Sequence, residues 1–483
     1  MKSIAFVFLC LLLCTSLYAC QDSPPGRQEG NTSEKRGDSS RSESGLPSEM
    51  SGDASSETLQ EDAGDSGAEP TLEPTVEPVP EVAPEPAPEV SLEPVPEVSP
   101  EPTPEPSVVC QAQKGSDVLT GISGWKELAL NKAAVSVPMG GCKALGLRFV
   151  APKGMKLRIE IQGLPVKDVV EVQVLNARRM YKVAQDKPLA SATSTSGKDY
   201  LVMEATIGQS GENAVTIDGR WNPSDVTLQI KLVCIDKCFL ETTRFPTAFV
   251  HGFAGTDKYF GFLDYYYRVK DDLTKKGYSV VMPRTQPVAT SKIRVQPLKK
   301  QLLDFLKKTG ARRVNLIAHS QGGLDCRHLI SVEKWGKYIA SLTTVATPHK
   351  GMPLPATNLF PLFKEMSEST MKTFNQKYKD DPQVKYFSWK AVSCGLLSFS
   401  CQRKNQNERV DALLTASYRT LQALRGDNDG VVPTSSMGWG TVLGTIPADH
   451  WDQIGQVADR NNKPFNHLKF YHSEVKRLQK LNF

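Results

Sequence analysis

Behind the apolar run Val314-Asn315-Leu316-Ile317 the chain reads Ala318-His319-Ser320-Gln321-Gly322-Gly323. A strand that ends in small–x–Ser–x–Gly and continues as a helical pattern admits few structures. A reversal that tight holds the serine backbone in a strained conformation, and the side chains two places before and after it must be small or they collide. Ala318 and Gly322 meet that need, although alanine stands where glycine is usual. The turn leaves the Ser320 hydroxyl exposed above a sheet, with the next amide and a helix N-terminus facing any oxyanion that develops there. Alone, the pentapeptide also fits an ordinary glycine-rich βα turn, so the neighbouring segments decide.

Phe245 to Val250 reads as a buried strand that empties into His251-Gly252-Phe253-Ala254-Gly255-Thr256. A glycine-spaced loop led by His-Gly after an early strand is where a nucleophile elbow finds its second oxyanion donor, here the backbone N–H of Phe253 beside that of Gln321. Two βα units fit between this loop and Ser320. The pattern predicts a helix over Leu263 to Lys276 and a strand over Tyr278 to Met282. A second helix is expected to place Val295, Leu298, Leu302, Phe305 and Leu306 on one face.

A serine nucleophile needs a base, and the base an orienting acid, in the order Ser, Asp or Glu, His along an α/β hydrolase chain. His450 lies in the loop-like Pro447-Ala448-Asp449-His450-Trp451-Asp452, after the apolar run Val442 to Ile446. Upstream, Gly426-Asp427-Asn428-Asp429-Gly430 follows a stretch, Tyr418 to Leu424, that reads as a strand. Asp429 is the first choice of acid and Asp427 the reserve. Both are also turn formers in their own right.

These segments, with Ala346-Thr347-Pro348-His349-Lys350-Gly351, resemble the true lipases of Pseudomonas and Burkholderia over residues 245–483. The resemblance implies an α/β-hydrolase fold with Ser320 as nucleophile, Asp429 as acid, His450 as base, and Phe253 and Gln321 as oxyanion donors. It also implies a structural calcium ion beside the histidine loop, since a hard cation takes oxygen ligands. Carried over, Asp452 is one carboxylate, Gln456 and Arg460 are carbonyl donors, and Glu408 is the second carboxylate after a one-residue shift. A salt-bridged loop is the alternative. The family's disulfide beside the acid loop has no counterpart at Pro433-Thr434-Ser435-Ser436, and Cys394 with Cys401 is expected to pair instead. Leu359, Phe360, Leu362, Phe363 and Met366 form an amphipathic stretch suited to a mobile lid or to a fixed cap helix.

Residues 1–19 read as a signal segment, with Lys2 ahead of an apolar run, Ile4 to Leu13, too short to span a bilayer. Leu17-Tyr18-Ala19-Cys20 resembles a bacterial lipobox, which would lipidate Cys20 and anchor the chain in the cell envelope. Gln21 after the cysteine favours the outer membrane, and the protein would be secreted if the lipobox is not used. Residues 20–107 are an acidic Pro/Glu-rich linker, with a glutamate at every fourth position from Glu69 to Glu105 and no Lys or Arg between Arg41 and Lys114. Such a segment stays disordered, extended and self-repelling. The chain as a whole is at +5, so the body beyond the linker is strongly basic. That suits attraction to an anionic surface or an acidic partner, or simply a solvated surface. Nothing points to nucleic acid.

Residues 108–240 alternate in four runs, from Leu145, Leu157, Val170 and Val226, as half-buried strands do, which predicts a β-sandwich ahead of the α/β domain at 241–483. Three local disulfides are expected, 110–142, 234–238 and 394–401, with Cys326 a buried free thiol. The sequence thus points to a serine carboxylic ester hydrolase, a triacylglycerol lipase by resemblance, acting on a lipid or ester. An acyltransferase using the same residues, or a surface binding protein with a hydrolase-like body, stays open.

Overall fold

The computed structural model describes residues 109–110, 117–167, 169–181, 186–253, 255, 258–259, 263–353, 361–395, 408–456 and 465–483. The signal segment, the acidic linker, Cys20, Arg460, Leu359 and Phe360 lie outside them.

The first nine strands build two sheets. β1 (Trp125–Glu127), β3 (Ala144–Ala151), β5 (Glu171–Asn176), β6 (Ala190–Thr193) and β8 (Gly211–Asp218) assemble in the order β1-β3-β8-β5-β6. The second sheet runs β2-β9-β4-β7, from β2 (Val135–Met139), β4 (Lys156–Gln162), β7 (Tyr200–Thr206) and β9 (Val226–Asp236). The period-2 pattern explains the pairing. In β4, Leu157, Ile159 and Ile161 are buried while Arg158 and Glu160 face outward, and in β9 Leu228, Ile230 and Leu232 are buried in the same core. Leu147, Phe149, Val172 and Val215 of the first sheet share that core, the signature of a sandwich.

The expected α/β sheet follows. β10 (Thr247–Val250), β13 (Val280–Val281), β14 (Val314–His319), β15 (Ile339–Val345), β16 (Lys385–Val392) and β17 (Thr441–Pro447) pair in parallel in the order β13-β10-β14-β15-β16-β17; a small hairpin, β11 (Lys258–Tyr259) and β12 (Leu263–Asp264), sits apart. The order reverses direction beside β10, and ligands bind outside the carboxyl ends of strands at such a switch point. Alternation packs both faces. Ala248, Val250, Leu316 and Ala318 meet Val295, Leu298, Leu302 and Leu306 of one helix, whereas Phe249 and Ile317 join Val269, Leu273, Tyr471, Val475 and Leu478 on the other face.

The helices are α1 (Ala177–Tyr181), α2 (Val269–Lys275), α3 (Ser291–Thr309), α4 (Gln321–Arg327), α5 (Pro361–Glu365), α6 (Glu368–Lys377), α7 (Thr415–Arg425) and α8 (His467–Lys480). Two expectations are corrected. The helix expected from Leu263 starts only at Val269, because Leu263 and Asp264 belong to the hairpin and Arg268 takes a left-handed conformation at φ 57°. Tyr418 to Leu424 is helix, not strand. Leu414 and Leu421 are buried seven residues apart, two helical turns, and Gly426 at φ 76° ends the helix.

Sandwich and α/β sheet belong to one compact unit. Gly310, the left-handed C-cap of α3, lies so close to Arg178 that a Cβ would meet its backbone nitrogen at 2.4 Å. Arg178 reaches the Lys307 carbonyl, and the Ser210 hydroxyl donates to the Gly277 carbonyl. The Cys110–Cys142 and Cys234–Cys238 disulfides are formed, and Cys326 is a buried free thiol. Cys394 is disulfide-bonded, with its partner outside the described residues.

Candidate active site

Ser320 stands between β14 and α4 at φ 56°, ψ −132°, the strain expected of so sharp a turn. Its neighbours explain why only small residues fit. A Cβ at Gly322 would come within 2.5 Å of the Val250 carbonyl oxygen and 2.7 Å of the His251 carbonyl oxygen, and one at Gly323 within 2.1 Å of the Thr347 hydroxyl. The elbow is pinned by the Ser320 amide donating to the Val345 carbonyl and the Thr347 hydroxyl donating to the Ser320 carbonyl.

Three segments far apart in sequence converge there. His450 Nε2 lies 3.0 Å from Ser320 Oγ, and His450 Nδ1 lies 2.7 Å from Asp429 Oδ2. Asp429 is wholly buried, and its other oxygen accepts the amides of Val431 and Val432. A carboxylate surrounded by donors holds the imidazole with its proton on Nδ1, which frees Nε2 to accept from the serine. Asp429, not the reserve Asp427, takes this place.

Phe253 follows β10, and Gln321 is the first residue of α4; among the described residues neither amide has a main-chain acceptor. The preceding loop is held from below. Arg294 of α3 donates to the carbonyls of His251 at 2.7 Å and Gly252 at 3.2 Å while its Nε pairs with Asp325 at 2.7 Å, both side chains fully buried. Burial pushes the Asp325 carboxyl upward against the pull of Arg294. Above the loop, the Phe363 ring of α5 lies 6.4 Å from that of Phe253, with Leu362 and Met366 buried beside it. The part of the expected lid that is described therefore packs against Phe253.

The sequence reading missed a second layer of polar groups. His319 is buried, with its ring 4.5 Å from that of His450; Tyr265 Oη lies 2.8 Å from its Nδ1 and Gln453 Oε1 3.0 Å from its Nε2. Burial, reinforced by the neighbouring His450, pushes His319 well below the usual histidine range, so it is neutral. Position 319, between Ala318 and Ser320, was visible in the motif, but no spacing rule links it to Tyr265 or Gln453.

Of the residues expected to hold calcium, Glu408 and Asp452 are both buried. The Glu408 carbonyl accepts from Cys394, whose neighbour Ser393 donates to the Asn428 carbonyl of the acid loop. The Gln456 side chain donates to the carbonyls of Asp264 and Tyr265. Among the described residues no three His, Cys, Asp or Glu side chains gather as a metal cluster. A buried carboxylate such as that of Glu408 or Asp452 is the ligand type a hard cation takes.

Residues 248–379 match the alpha/beta hydrolase fold family. The chain is 29% identical over 259 residues to triacylglycerol lipase 2 of Saccharomyces cerevisiae, spanning 46% of this chain and 76% of that protein. It is 26% identical over 296 residues to a triacylglycerol lipase of Pseudomonas fragi, 49% of this chain and 97% of that one. A triacylglycerol lipase of Burkholderia plantarii is 39% identical over 112 residues, 23% of this chain and only 31% of its own length. The solved Staphylococcus hyicus lipase is also similar, at 16% identity and a TM-score of 0.40, covering 49% of this chain and 96% of that one.

Proposed function

We propose that this chain, whose C-terminal half has the α/β-hydrolase fold, is a serine carboxylic ester hydrolase and specifically a triacylglycerol lipase working through an acyl-enzyme. One observation carries the reading: Ser320, His450 and Asp429 join in an unbroken line of hydrogen bonds at the carboxyl edge of a parallel sheet.

The steps follow from that geometry. His450 Nε2 takes the Ser320 proton as Oγ bonds to the ester carbonyl carbon, and the carbonyl oxygen becomes an oxyanion. The amides of Phe253 and Gln321 stabilise that charge, and such donors are worth roughly 3–4 kcal/mol each. Asp429 steadies the imidazolium. His450 then protonates the departing alcohol as the carbon–oxygen bond breaks, and a water activated by the same imidazole releases the fatty acid and restores the serine hydroxyl. The match to triacylglycerol lipases supports a triacylglycerol ester as substrate.

The test is Ser320→Ala assayed on a chromogenic ester series from short to long acyl chains. Activity should fall roughly 10³-fold or more, and an organophosphonate should label wild type but not the variant. Hydrolysis near the wild-type rate would end the serine reading.

Two further parts of the reading rest on sequence. Calcium held by Asp452, Glu408 and the carbonyls of Gln456 and Arg460 would brace the His450 loop without touching substrate. Lipid on Cys20 would anchor the enzyme in the bacterial outer membrane, since two or more acyl chains give stable attachment. Cys20→Ser should then release it from membranes washed in high salt. No helix among the described residues is long and apolar enough to cross a membrane.

A further inference from the structure

Asp429 Oδ2 receives two donors: His450 Nδ1 and, 2.8 Å away, Gln453 Nε2. Gln453 is completely buried, and its amide has one workable orientation. With Nε2 donating to the carboxylate, Oε1 must accept, so His319 carries its proton on Nε2. His319 Nδ1 is then an acceptor, and Tyr265 must donate its hydroxyl proton there. The Tyr265 oxygen is in turn a hydrogen-bond partner of the Gly252 backbone, one residue before Phe253. Gly252 permits this approach, because a Cβ there would sit 2.8 Å from the Tyr265 oxygen and 2.7 Å from Ser320 Cβ.

We propose that Tyr265, His319 and Gln453 are positioning residues that tie the oxyanion loop to the acid–base pair by one directional hydrogen-bond chain. This rests on the Ser320–His450–Asp429 reading. The chain runs Gly252, Tyr265, His319, Gln453, Asp429, passing behind the nucleophile. Each link is fixed by the one before it, and every side chain in it is buried.

Gln453→Met and Tyr265→Phe test this in the full chain with a soluble chromogenic ester. Gln453→Met and Tyr265→Phe should lower kcat roughly 10- to 100-fold with KM little changed, while the melting temperature of Tyr265→Phe stays near wild type. Wild-type kcat in either variant overturns the proposal. Ser320→Ala, run alongside, separates that failure from failure of the triad reading, which only an active Ser320→Ala would signal.

Discussion

Both carboxylate oxygens of Glu365 rest on a single amide, that of Ser291, at 3.1 and 2.9 Å. Ser291 opens α3, and Thr290 before it provides no side-chain cap, so a residue from the covering segment 74 positions away does that work. Burial pushes the Glu365 carboxyl up to about 7; the Ser291 amide opposes this and the charge of Asp325 adds to it.

The sign of the linkage follows. A carboxyl raised from its ordinary 4.5 to about 7 on folding contributes stability that is complete below pH 4.5 and is lost as pH rises through 7. Glu365→Gln keeps an acceptor for Ser291 but cannot ionise. Its melting temperature should match wild type near pH 4 and exceed it above pH 7, by on the order of 2–3 kcal/mol of stability. Parallel curves across that range would contradict the assignment.

Arg294 and Asp325 form a fully buried pair against the His251–Phe253 loop. Arg294→Met strands Asp325 and should cost about 3–5 kcal/mol in chemical denaturation. Arg294→Met combined with Asp325→Leu should regain most of that stability yet remain a poor catalyst, because the carbonyls of His251 and Gly252 lose their anchor. A double variant that is both stable and fully active would show that the arginine has no part in holding the loop.

If calcium braces the histidine loop through Asp452, a chelator should lower thermal stability and ester hydrolysis together. Added calcium should restore both, because only the folded state binds it. Asp452→Asn should blunt that response and leave some activity. A protein indifferent to chelation by both measures has no such site.

Much of the site was legible because its chemistry is local. The elbow at Ala318 to Gly323, the turn at Asp427 to Gly430 and the loop at Asp449 to Asp452 each announce themselves within a few residues. What was missed is long-range. Tyr265 and Gln453 are 188 positions apart and meet through His319, and Arg294 reaches His251 across two layers of the fold. The misread helix at Thr415–Arg425 has another cause. Tyr418 and Thr420 favour strands locally, but the core reads spacing, and Leu414 and Leu421 are two helical turns apart. In the sandwich, Lys156–Gln162 was plain because it alternates without interruption, whereas Gly211–Asp218, buried at every position, shows no alternation and was not among the four runs read.

Ser320 carries a backbone conformation that glycine adopts freely and other residues adopt only under strain, on the order of 1–3 kcal/mol. Replacing it with glycine should therefore raise the melting temperature while removing the hydroxyl. Stability and activity pull this one codon in opposite directions. A lineage that ceased to need the enzyme would be expected to drift toward glycine here, and the serine endures only while selection keeps favouring its hydroxyl.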